Sequence, residues 1–138
     1  DIRVQLYTVP GQVHYDATRK LVLKGVDGVV FVGDSLKVQR KKNIESLINL
    51  AKNLAEKGIS IRSIPLVMQY NKRDLDGTDS EILPIDVLEK DLNSMLKVPS
   101  FPASALKGSG VFETLREISK LVVKDVSRKI MVLDKQFR

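Results

Sequence analysis

The 138 residues suffice for one domain with its own core and not for two. With 43% hydrophobic and 29% charged residues and no cysteine, the chain offers no disulfide framework or thiolate metal site, and no apolar run nears the roughly 20 residues of an integral membrane segment. The formal charge of +6 comes from Lys and Arg spread beside Asp and Glu, without the interleaved aromatics on which bases stack, so we expect a cytoplasmic protein with no nucleic-acid surface.

The apolar start, Ile2, Val4 and Leu6, alternates with polar residues and lacks the basic flank and cleavage site of a signal peptide. Arg3 to Val9 therefore reads as a half-buried strand, ending in a Pro10-Gly11 turn. Asp27 to Gly33 is a near-continuous Val/Phe run, the mark of a strand buried on both faces. The basic cluster Arg40-Lys41-Lys42 opens a helix in which Ile44, Leu47, Ile48, Ala51, Leu54 and Ala55 recur at helical spacing, and Gly58 stops it. Pro65 to Tyr70 is a third strand, followed at once by a polar loop from Asn71 to Ser80. Ile85, Leu88, Leu92 and Leu96 give another amphipathic helix, and Ser100 to Ser104 a short fourth strand. Phe112, Leu115, Ile118, Val122 and Val126 form one face of a C-terminal helix. Strands alternating with helices predict an α/β fold with a parallel sheet and helices on both faces, and ligands then bind at the carboxyl ends of the strands.

Three of those ends carry unusual polar residues. At the first, Gly11 has no Cβ to keep a backbone N–H from a ligand oxygen, and Gln12 offers both donor and acceptor for orienting a water molecule. At the second, Asn71-Lys72-Arg73-Asp74 supplies a carboxylate that can accept from the N1–H and exocyclic amine of guanine and mismatches adenine. Asn71 can bridge the base and a neighbouring loop, while the stem of Lys72 can lie over the ring. At the third, the small residues of Ala103-Ser104-Ala105, before Leu106, would let backbone N–H groups approach a purine carbonyl; the same stretch also reads as a Gly/Ser turn before a helix. His14 has no second ligand for a metal, and the acidic stretch from Asp74 to Glu81 lacks the spacing of a calcium loop.

In that order, and with those sequences, the chain resembles the Ras-like small GTPases. More narrowly, LYTVPGQVHYDATRKLVLKGVDGVVFVGDS (Leu6 to Ser35) and QYNKRDL (Gln69 to Leu75) are similar to the MglA-type bacterial gliding-motility and cell-polarity GTPases. The resemblance implies a partial Ras-like P-loop G domain: three α/β/α layers around a mostly parallel sheet, one unit over residues 1–138 running from the second switch to the C-terminal helix. It implies a GTP-binding and GTP-hydrolysing switch for motility or polarity, GTP/GDP and Mg2+ as cofactors, and a roadblock-fold (MglB-type) activator as partner. Gln12 would position the attacking water and Gly11 would contact the γ-phosphate. Asn71, Lys72 and Asp74 would read guanine, and Ser104, Ala105 and Leu106 would complete the base pocket.

Two positions depart from the usual Ras-like pattern. Leu106 stands where many members carry Lys, and Thr8 stands where most carry Asp, which removes a charge that could hold magnesium through water. No G-x-x-x-x-G-K-[ST] phosphate loop and no first switch occur, so the direct magnesium ligands are missing and the sequence is expected to be part of a longer GTPase, inactive alone. The alternative is a non-catalytic, degenerate G domain that serves as an interaction module.

Overall fold

The computed structural model describes residues 3–138 and holds one sheet of three parallel strands in the order β1-β2-β3: β1 is Val29–Asp34, β2 Leu66–Asn71 and β3 Ser100–Pro102. Four helices accompany them: α1 Asp16–Val22, α2 Arg40–Glu56, α3 Ile85–Leu92 and α4 Val111–Gln136. β2 is central and buried from Leu66 to Tyr70, as its apolar run predicts. Its side chains alternate between the two faces of the sheet. Leu66, Met68 and Tyr70 join Phe31 from β1, Leu50 and Leu54 from α2, and Leu88 and Leu92 from α3 in one core. On the opposite face, Gln69 Nε2 donates to Thr114 Oγ1 of α4 at 2.8 Å, and Gly28 leaves room for Ile118 and Val122. The result is the expected three-layer α/β/α arrangement. Each fully buried Leu or Met contributes about 1.5–3 kcal/mol of transfer free energy, so this core fixes the strand ends above it.

Local chemistry explains the helix ends. α2 stops where Gly58 takes φ +74°; the Ile59 N–H then reaches the Leu54 carbonyl at 2.9 Å and the Gly58 N–H the Ala55 carbonyl at 3.0 Å, closing a Schellman turn. At its other end Arg40 grips Asp91 of α3 with two hydrogen bonds of 2.7 and 3.0 Å, raising the pKa of the guanidinium and lowering that of the carboxyl.

Four expectations need correction. Arg3 to Val9 is not a strand: residues 3–8 are exposed and pair with nothing, because alternation suits a sheet but supplies no ladder partner, and none lies among the described residues. Ile2, the first of the alternating residues, lies outside the described residues. The run at Asp27 to Gly33 is not buried throughout, since Val32 is 52% exposed beyond the reach of α4. The helix beginning at Ile85 ends at Leu92, before Leu96, where Asn93 turns its amide onto the Val98 carbonyl. Phe112 lies outside the packed face of α4, 64% exposed, with the Arg116 guanidinium 4.8 Å from its ring centre. Of the described helices, none is long and apolar enough to cross a membrane.

Candidate nucleotide-base site

The buried stretch of β2 delivers Asn71 to the carboxyl end of the sheet, and Lys72 then turns sharply in the left-handed region (φ 70°, ψ 26°) into a 3-10 turn over Arg73–Leu75. That conformation costs a non-glycine residue about 1 kcal/mol. The Asn71 side chain offsets it, its Oδ1 accepting the Lys72 N–H at 2.8 Å. The same Oδ1 accepts the Ala105 N–H at 2.9 Å, so one side chain ties together two loops 34 residues apart. Ser104, buried, adds a second tie: its Oγ donates to Asp74 Oδ1 at 2.9 Å and accepts the Lys107 N–H at 3.2 Å. Main-chain bonds complete the lacing, Ala103 N–H to the Tyr70 carbonyl at 2.8 Å and Arg73 N–H to the Ala103 carbonyl at 3.0 Å. Gly110 is required where the second loop enters α4, for it has φ +76° and any Cβ would strike the Pro102 carbonyl oxygen.

A third strand end joins these two. Lys72 Nζ donates to Asp34 Oδ2 at 2.8 Å, and Asp34 Oδ1 accepts the Leu36 N–H at 2.9 Å. Asn43 of α2 brackets the Asp34 backbone, accepting its N–H at 3.1 Å and donating to its carbonyl at 2.9 Å. Asp34 and Asn43 were not singled out from the sequence; the polar pair Asp34-Ser35 directly after a strand was the available signal.

Of the expected base-reading residues, the structure thus gathers Asn71, Lys72, Asp74, Ser104 and Ala105. Leu106 shares their loop but points into solvent, 86% exposed. Gly11 and Gln12 have other partners. The Gly11 carbonyl accepts from Arg19 and from Ser46 of α2, and Gln12 is exposed at the start of a 3-10 turn over Val13–Tyr15. Neither Arg19 nor Ser46 was foreseen.

The donor set fits a guanine base. Ser104 engages one oxygen of Asp74 and orients the carboxylate, whose other oxygen and outer lone pairs can accept from two adjacent N–H groups. The residues do not fit a resident divalent cation: no group of three Asp, Glu, His or Cys side chains converges among those described, and Thr8 is exposed and uncharged.

The chain is 50% identical over 126 residues to the mutual gliding-motility protein MglA of Myxococcus xanthus (strain DK1622), covering 91% of the chain and 62% of that protein. It is 26% identical over 128 residues to ADP-ribosylation factor-like protein 4C of Homo sapiens and of Mus musculus, covering 89% of the chain and 62% of each. The chain therefore spans less than two thirds of the length of these relatives. No family model matches it.

Proposed function

We propose that the chain, 50% identical to an MglA protein over 126 residues, is an MglA-type Ras-like small GTPase that reads the guanine of GTP and GDP within a bacterial switch that hydrolyses GTP. The observation that carries this is the double use of Asn71 Oδ1, which binds the Lys72 and Ala105 N–H groups together and so holds Asp74 and the second loop in one cradle. Asp74 supplies the selectivity. Its carboxylate accepts from the N1–H and 2-amino groups of guanine, whereas adenine presents an acceptor at N1 and no 2-amino group. The Lys72 stem, fixed at its tip by Asp34, provides an apolar edge for the ring.

Catalysis is assigned to Gln12 as the group that orients the attacking water. The γ-phosphate contact of Gly11, the control of motility or polarity, a cytoplasmic site of action, one G-domain unit over residues 1–138 and a roadblock-fold activator complete the proposal. These rest on the family resemblance. Magnesium belongs to the activity of such switches.

Titrating the full-length protein with GDP, IDP and ADP tests the base assignment. IDP lacks the 2-amino group and should bind about tenfold more weakly than GDP, and ADP more weakly still. Equal affinity for all three would refute it. Hydrolysis of GTP that is abolished in Gln12→Leu supports the catalytic role; guanine binding with no hydrolysis in the unaltered protein would favour the interaction module.

A further inference from the structure

Arg19 is a buried charge. It is 3% exposed, no carboxylate forms an ion pair with it among the described residues, and its Nε is buried without a hydrogen-bond partner. Its Nη1 donates to the Gly11 carbonyl oxygen at 3.0 Å and to Ser46 Oγ at 3.0 Å, and its Nη2 donates to the Ser46 carbonyl at 3.1 Å. Ser46 Oγ in turn donates to the same Gly11 oxygen at 3.1 Å. The hydrogen bonds of Arg19 all go to neutral oxygens, burial lowers its pKa, and the Asp16 carboxylate only partly opposes that; an apolar side chain of similar volume often serves stability as well in such a place.

What the arrangement does fix is the orientation of one peptide. The Gly11–Gln12 bond is trans and planar, so its carbonyl and the Gln12 N–H point in opposite directions. With the Gly11 carbonyl held toward α2, the Gln12 N–H is turned away from α2, and the Cα that carries the Gln12 side chain is fixed with it. Gly11 has open space where a Cβ would stand, so no packing at that position fixes the turn. The restraint comes from Arg19 and Ser46.

Their surroundings suit a contact that opens and closes. Between α1 and α2 run polar contacts: Asn49 donates to Asp16 at 2.9 Å, supported by Asn53 of the same helix at 3.0 Å, and Lys20 bridges Asp16 and Glu56 at 3.1 Å each, while apolar packing begins at Leu23, where α1 ends. Such bonds are exchanged for water at little net cost, unlike the buried leucines beneath β2.

We propose that Arg19 and Ser46 clamp the Gly11–Gln12 peptide, making Arg19 a positioning residue that sets where Gln12 stands. The clamp rests on the assignment of Gln12 to hydrolysis only for its catalytic consequence; its structural part can be measured separately.

The test uses the full-length protein with Arg19→Met, Arg19→Lys and Ser46→Ala. In Arg19→Met the carbonyl 13C resonance of Gly11 should move upfield as its hydrogen bonds are lost. Single-turnover GTP hydrolysis should slow at least about tenfold while GDP affinity stays within about threefold and thermal stability is unchanged or higher. Arg19→Lys should restore part of the rate, and Ser46→Ala should fall between. Ser46→Ala removes a single hydroxyl and keeps the test open if Arg19→Met fails to fold. An unmoved Gly11 resonance overturns the clamp. A moved resonance with unchanged hydrolysis, or with a rate that falls only as GDP affinity falls, overturns the positioning role. Absence of hydrolysis in the unaltered protein, with the resonance shift intact, refutes the role of Gln12 and leaves the clamp standing.

Discussion

The loops proposed to read the base and the Gly11–Gln12 turn are held in opposite ways. Asn71 to Asp74 stand at the end of β2, whose Leu66, Val67, Met68 and Tyr70 are 0–2% exposed, and they are tied to the next loop by the Ala105 N–H donating to Asn71 Oδ1, by Ser104 donating to Asp74 and by main-chain bonds. The Gly11 turn is exposed and has no place in the buried core. It hangs from α2 by Arg19 and Ser46 and continues into a helix with a polar inner seam. A group that must recognise the same base in every state gains from a rigid mount. On the proposed reading, a group that must answer to a phosphate gains from bonds that can be exchanged.

The sharpest way to break this contrast is to soften the rigid side. Met68→Ala, at a position of 0% exposure, should cost about 2–5 kcal/mol in denaturant unfolding and weaken guanine binding along with the fold. Guanine binding unaffected by that loss would show that the loops do not depend on β2. Next in size, Asn71→Ala leaves the Lys72 and Ala105 N–H groups without their acceptor and should cost about 1–3 kcal/mol, read as protein stability and as exchange of the Ala105 amide. Asp34→Asn removes an ion pair whose side chains are 26% and 43% exposed, so solvent screening limits its effect to about 0.2–1 kcal/mol. A larger loss would mean that Lys72 is held less by its backbone than described.

The smallest effect concerns pH. The Asp16 carboxyl lies below its ordinary pKa, chiefly through the hydrogen bond from Asn49 and then that from Lys20. Its contribution is therefore complete above the ordinary carboxyl range near about 4 and is lost as the pH falls through the lowered folded value. Amide exchange in α1 should be flat relative to the sheet from neutrality to about pH 5 and rise only below about pH 4. A rise on the alkaline side would contradict the assignment.

Much of the rigid side was legible in the sequence, because its signals are local. The β2 run, the Asn71-Lys72-Arg73-Asp74 loop directly after it and the small residues at Ala103 to Ala105 each announce themselves within a few residues. Even the bridging role of Asn71 follows from amide chemistry, although its partner, Ala105, needed the structure. The tethered side was not legible. Arg19 and Ser46 are 27 residues apart and Asp34 and Lys72 are 38 apart, and nothing in their neighbourhoods points to the pairing. Arg3 to Val9 misled for the complementary reason: alternation describes what a segment can pair with, not whether a partner is present. Val32 and Phe112 were placed in the core because periodicity gives a face but not how far the covering element reaches.

The central claim is that Asp74 reads the guanine, and Asp74→Asn in the full-length protein tests it most directly. An amide at this position can still accept from N1–H but offers a donor where guanine's 2-amino group also donates, whereas xanthine presents a carbonyl there. GDP affinity should fall by about 100-fold or more and XDP should become the preferred nucleotide, because a charge-assisted pair of hydrogen bonds is exchanged for a mismatch. GDP and XDP affinities identical to those of the unaltered protein would contradict the account.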